Sequence, residues 1–148
     1  MPRYVLDTQH FIDVLRGRPE AAEVLAFMRT FVAAVDLHAV VGAELLMGAH
    51  ARGEPAAIRK RFIDPFKPQR VLVPDAADLL AAGDAVRMMS RKWGVPHPEL
   101  EQRNFWNDVI IAVSCRRRGF VLLSRDPDHA RIAPFVGHTY SSTFPTTP

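Results

Sequence analysis

Short unbroken apolar runs alternate along this chain with longer stretches whose apolar residues recur every three or four positions. Continuous runs suit strands covered on both faces, and the longer spacing suits helices packed on one side. Tyr4-Val5-Leu6 predicts a first strand ending at Asp7-Thr8, and Phe11, Ile12, Val14 and Leu15 predict a first helix closed by Gly17. Pro19, a favoured first helical residue, with Glu20 and Glu23 behind it, predicts a second helix with Ala21, Val24, Leu25, Met28 and Phe31 as its core stripe. A second strand is predicted over 31–35. Residues 39–51 follow as a helix with Val40, Leu45, Leu46 and Met47 inward, and 56–63 as a short basic helix. Pro65 and Pro68 break the chain before a strand at 70–73. Residues 76–93 then carry Leu79, Leu80, Ala82, Val86 and Met89 at helical spacing.

The most informative stretch is 105–132, FWNDVIIAVSCRRRGFVLLSRDPDHARI, reached through a loop at 94–98 and a lead-in at 99–103. It places Asp108 at a helix start, where a carboxylate is favoured by the unpaired N–H groups. Val109, Ile110, Ala112 and Val113 give an apolar body, Arg116, Arg117 and Arg118 a cationic end, and Gly119 a natural residue just past the helix. Phe120-Val121-Leu122-Leu123 is a buried-strand run, followed at once by Asp126 and Asp128. Phe135-Val136 is expected as a last strand, and the Ser/Thr/Pro-rich 141–148 as a flexible tail. Strands alternating with helices predict an α/β sandwich, a parallel sheet with helices on both faces, as one domain over 1–140.

Composition narrows the function classes. With 48% hydrophobic and 24% charged residues the 148-residue chain is ordinary for a globular protein. Sixteen of its nineteen basic residues are Arg, which suits bidentate phosphate contacts and equally suits a G+C-rich coding sequence. The single Cys115, inside an apolar helix, excludes an internal disulfide and a Cys-rich zinc site. No apolar stretch reaches the ~18–20 residues of a membrane span, and a cytoplasmic location is expected. No G-x-G-x-x-G, G-x-x-x-x-G-K-[ST] or H-E-x-x-H occurs. His10, His38 and His129 lie near the proposed edge, more in keeping with hydrogen-bonded side chains than with ligands.

Chemistry is carried by acids. In a parallel sheet, sites form beyond the carboxyl ends of the strands. Asp7 and Asp126 each follow a strand, and Asp108 reaches the same edge from the helix before the later one. Glu44 interrupts an apolar helix and has no ready structural explanation, whereas Asp7 and Asp108 could be helix caps and Asp126-Pro127-Asp128 a turn. Converging carboxylates repel one another unless a cation joins them, and oxygen-only ligands suit Mg²⁺ or Mn²⁺.

Four segments, Tyr4-Val5-Leu6-Asp7-Thr8, Val40-Val41-Gly42-Ala43-Glu44-Leu45-Leu46-Met47-Gly48-Ala49, Asn107-Asp108-Val109-Ile110-Ile111-Ala112 and Leu122-Leu123-Ser124-Arg125-Asp126-Pro127-Asp128, resemble in order the motifs of PIN-domain nucleases, and among these the VapC-type toxins of toxin–antitoxin pairs. The resemblance implies a three-layer sandwich around about five parallel strands, and a metal-dependent endoribonuclease. It places Asp7, Glu44, Asp108 and Asp126 at the catalytic metal site with Mg²⁺ or Mn²⁺, and Thr8, Ser124 and Asp128 in support. It also implies an RNA substrate, a homodimer and a small VapB-type antitoxin, for which Phe11, Leu46, Met47 and Trp106 offer apolar contacts. Gln9, His38 and Val41 depart from the residues usual at their positions, and the loop before Asn107 is long. The remaining readings are an RNA-processing nuclease without a toxin role and a non-catalytic binding module, though a mere RNA binder gains nothing from clustered negative charge.

Overall fold

The computed structural model describes residues 1–94, 100 and 102–147. Its centre is a five-stranded, wholly parallel sheet in the order β3-β2-β1-β4-β5. The strands are β1 (Arg3–Leu6), β2 (Val35–His38), β3 (Val71–Leu72), β4 (Phe120–Leu123) and β5 (Thr139–Ser141). β1 lies in the middle, with Tyr4 opposite Val35 on one side and Leu6 opposite Leu123 on the other. Successive strands run outward from β1 to β3, and the order then reverses to β4 and β5. The switch point therefore falls between β1 and β4, where ligand crevices open in folds of this type.

Among the described residues seven α-helices cover the sheet: α1 (Thr8–Leu15), α2 (Ala21–Thr30), α3 (Ala39–Met47), α4 (Glu54–Ile58), α5 (Ala76–Trp93), α6 (Arg103–Arg118) and α7 (Asp128–Val136). Two apolar cores make the sandwich three-layered. One joins Tyr4, Val5 and Leu122 of the sheet to Phe11, Val24, Phe27, Leu45 and Ile58. The other joins Ala82, Ala85 and Met89 of α5 to Val109, Val113 and Ile132 of α6 and α7. Gly119 closes α6 in the left-handed conformation, φ 72°, as its position predicts. The loop expected at 94–98 and its lead-in at 99–103 fall largely outside the described residues.

Several expected boundaries move, each for a physical reason. The second strand is Val35–His38 rather than 31–35: its two polar residues are buried, Asp36 against partners far along the chain and His38 as a local helix cap. Asp36 accepts from Arg3 and from Arg70 Nε, the latter at 2.5 Å, and His38 Nδ1 accepts from Val40 N–H at 3.1 Å, capping α3. Residues 56–63 divide into the end of α4 and a π-helical turn, Arg59–Ile63. Arg70 belongs to a 3₁₀ turn, and β3 is only two residues long. Phe135 and Val136 end α7, and the last strand is the polar edge strand β5. The boundary drawn at residue 140 thus cuts a strand. Phe144 beyond it packs on Phe27 and His10, with ring centroids 4.8 and 4.9 Å apart.

Helix faces also rotate. Leu79 and Leu80 are exposed, while Ala82, Ala85 and Met89 face inward. In α2, Phe27 is buried and Leu25 exposed; in α3, Val41 is buried and Met47 exposed. The three arginines ending α6 are not simply solvated. Arg117 and Arg118 both bind Asp78, which is fully buried and forms a capping box with Asp75 at the start of α5. This ion cluster ties the end of α6 to the beginning of α5.

Candidate active site

Asp7 leaves the end of β1 and caps α1, its Oδ1 accepting the Thr8 N–H at 2.7 Å. Its Oδ2 accepts the Ser124 hydroxyl at 2.5 Å, from the residue that follows β4. Ser124 Oγ in turn accepts the Asp126 N–H at 3.1 Å, and Asp126 Oδ1 accepts the Asp128 N–H at 2.8 Å. Capping and turn formation are thus both present at Asp7 and Asp126, and they hold the carboxylates in place rather than explaining them away. Strand ends β1 and β4 bring these groups together across the switch point.

Asp108 is different. α6 begins at Arg103, so Asp108 lies in its second turn and caps nothing, contrary to its expected place at the helix start. Its carboxylate accepts no hydrogen bond among the described residues. Burial pushes its pKa up to about 9, reinforced by Asp7, Asp126, Glu44 and Asp128. The carboxyl holds a proton at neutral pH when no cation is near. Asp108, Asp126 and Asp128 place one oxygen each within 4.8 Å of one another, a spacing that a shared cation spans.

Glu44 reaches the same groove from α3, one layer away. Asn107 Nδ2 donates to its Oε1 at 2.9 Å, and the Thr8 hydroxyl donates to its Oε2. Both of its oxygens are therefore engaged by the protein. Asn107 is the residue the sequence motif contained and the reasoning from acids passed over. One position before Asp108 on the helix, it ties α6 directly to Glu44 of α3.

The groove itself has a volume of about 660 Å³ and is lined by Asp7, Thr8, Glu44, Asp108 and Asp126, with Arg103, Asn104, Arg125 and His50 among its walls. Arg125 also pairs with the buried Asp13, which Arg18 and Gln9 hold as well. Met47 opens onto the groove, whereas Phe11 is buried in the core and Leu46 and Trp106 are half-buried. His10 stacks near Phe144 and His38 caps α3, so neither joins the acids. His129 stands behind Asp7, with Nε2 at 3.9 Å from Oδ2; burial lowers its pKa. Cys115 is buried and its thiol is pushed up to about 12 by that burial, which leaves it inert as a nucleophile.

Fold and site together define an α/β protein with an oxygen-donor cluster at its switch point. A family model described as PIN domain matches residues 4–134, and the chain belongs to that family. PIN-domain nucleases hydrolyse nucleic acids. No curated protein sequence matches the chain. Among solved structures it is similar to VapBC2 of Rickettsia felis bound to a DNA fragment from their promoter, with a TM-score of 0.68, 13% identity, and coverage of 93% of this chain and 96% of that one. It is similar to DNA-bound VapBC of Salmonella typhimurium, TM-score 0.66, 21% identity, covering 95% and 98%. FitAcB of Neisseria gonorrhoeae gives a TM-score of 0.68 at 20% identity, covering 93% and 95%. At such identities these likenesses speak to the fold. No helix among the described residues is long and apolar enough to cross a membrane.

Proposed function

We propose that this chain is a metal-dependent endoribonuclease, and the toxin of a type II toxin–antitoxin pair. The observation that carries the reading is the convergence of Asp7, Glu44, Asp108 and Asp126 on one open groove, with an Asp128 oxygen close to Asp108 and Asp126. An all-oxygen donor set in which burial, and after it the neighbouring acids, push one carboxyl well above the usual carboxylate range fits a hard divalent cation, Mg²⁺ or Mn²⁺. Asp108, Asp126 and Asp128 would hold it, with Asp7 alongside. When bound, such a cation supplies Lewis acidity toward a phosphate oxygen and makes water a better nucleophile near neutral pH.

The chain's own residues do the rest. Ser124 and the Thr8 N–H fix the direction of Asp7, and Asn107 with Thr8 fixes Glu44. Arg103, Asn104 and His50 on the groove walls offer donors to the phosphates on either side of the reacting one. A carboxylate of the cluster accepts the proton of the attacking water as its oxygen bonds to phosphorus. The bond to the 3′ oxygen breaks and that oxygen takes a proton from solvent in the open groove, leaving 5′-phosphate and 3′-hydroxyl ends. RNA as substrate, a homodimer and a small VapB-type antitoxin rest on the motif resemblance, and the likeness to VapBC and FitAcB structures supports the last. A cytoplasmic location follows from that role.

Expression of the chain alone in a bacterial host tests the reading. Growth arrest by the wild type and its absence with Asp7→Ala is the expected result. Equal harmlessness of both removes the toxin role and leaves the RNA-processing nuclease or the non-catalytic binding module.

A further inference from the structure

We infer that His129 is a positioning residue for Asp7, its Nε2–H aimed at the Asp7 Oδ2 from inside the fold. The inference rests on the reading of the acids as a metal site. The turn that leads into α7 sets Asp126 in the groove wall and an Asp128 oxygen near Asp108, and turns the next residue, His129, inward until none of it is exposed. Neither of its ring nitrogens has a hydrogen-bond partner, and the same is true of the buried His138 beside it. His138 stands edge-on to His129 with centroids 5.3 Å apart, and Tyr140 stacks on His138 at 5.2 Å. Edge strand β5 and the turn before it thus supply a wall that holds the His129 ring.

A neutral imidazole always carries one N–H, and a buried N–H without an acceptor is left desolvated with nothing in return. Among the described residues Asp7 Oδ2 is the carboxylate oxygen that His129 Nε2 faces, at 3.9 Å. The Nε2–H tautomer therefore directs its proton at Asp7, whereas the Nδ1–H tautomer leaves it without an acceptor. That distance exceeds a direct hydrogen bond, and a shift of about 1 Å in the Asp7 carboxylate closes it. Ser124 already donates to the same oxygen. With both donors on Oδ2, the carboxylate can turn only so far, and Oδ1 keeps a lone pair for a ligand in the groove. Partners of this kind behind a ligating carboxylate typically govern metal affinity by 10–100-fold.

The test is Mn²⁺ binding by calorimetry to the full-length protein at pH 7.5, comparing wild type with His129→Leu and His129→Gln. The glutamine amide returns a donor near the Nε2 position and the leucine does not. Mn²⁺ affinity should fall at least ~10-fold in His129→Leu and return to within ~3-fold of wild type in His129→Gln. Equal affinity in all three proteins, or a loss in both variants that tracks only their melting temperatures, overturns the inference and leaves the metal site standing. A wild type that binds no Mn²⁺ overturns the metal reading and this inference with it. Should His129→Leu not fold, the wild type still decides: nitrogen-15 NMR of the ring should show the Nε2–H tautomer and a resonance shift on adding Mg²⁺, and an Nδ1–H tautomer overturns the assignment.

Discussion

Replacing Asp108 by Asn removes one charge from the acid cluster and leaves its shape almost unchanged. In the folded chain burial, then Asp7, Asp126, Glu44 and Asp128, push this carboxyl up to about 9; in the unfolded chain it ionises near 4. Between those values the folded state keeps a proton that the unfolded state has lost. Stability therefore falls as pH rises, by about 1.4 kcal/mol per pH unit, and levels off above the folded value. At pH 7 the accumulated penalty has a ceiling of roughly 4 kcal/mol. Water entering the open groove and carboxylates turning apart reduce it, and Asp108→Asn should gain ~1–3 kcal/mol at pH 7 in the presence of chelator. The window must avoid the buried histidines. His38 and His138 are both lowered to about 4 by burial, so their contribution is complete above about 6.5 and is lost only as pH falls. Urea unfolding in EDTA from pH 7 to 8.5 should show a declining wild type and a nearly flat Asp108→Asn. Added Mg²⁺ should raise the wild type more than the variant, as expected of an ion that the proposed site would hold through this carboxylate. Parallel pH profiles, or a variant no more stable than wild type, would refute the crowding of charge at Asp108.

Asp78→Ala leaves Arg117 and Arg118 without their buried partner, and urea unfolding should register a loss of about 2–4 kcal/mol. Cys115 should resist thiol reagents in the native protein and react fully in urea, since it is buried and held as a thiol; native labelling at the rate of a free thiol would contradict the packing of α6. Phe144→Ala should lower stability by ~1–2 kcal/mol through lost contact with Phe27 and His10; a melting temperature unchanged by the substitution would show that the C-terminal segment is not packed there.

How much of this was legible depended on whether apolar residues marked the element. β1, β4 and α5 were placed correctly because their apolar runs and breaks are plain, and the parallel architecture follows from their alternation with helices. β2 was shifted because Asp36 and His38 interrupt its apolar residues, and β5 was missed because Thr139-Tyr140-Ser141 carries no apolar run. Asp36 needs Arg3 and Arg70, and no local pattern announces a bond across 33 or 34 residues. Leu79 and Leu80 show the opposite failure, since helical spacing alone left two faces of α5 eligible. In the site, chain order and the ends of strands brought Asp7, Asp108 and Asp126 to one edge. The helix-cap alternative for Asp108 disappeared only when α6 proved to begin five residues earlier. Asn107 lies in a quoted motif and His129 near the expected edge, but neither is an acid, and only the structure shows what each one faces.

The central claim is that the acids work by holding a divalent cation for phosphodiester hydrolysis. Incubating purified protein with 5′-labelled single-stranded RNA in Mn²⁺, with and without excess chelator and beside Asp7→Ala, tests it most directly. Cleavage should require the metal, stop in chelator, vanish in Asp7→Ala and leave 5′-phosphate and 3′-hydroxyl ends. Cleavage that persists in excess chelator, or an Asp7→Ala variant as active as wild type, would contradict it.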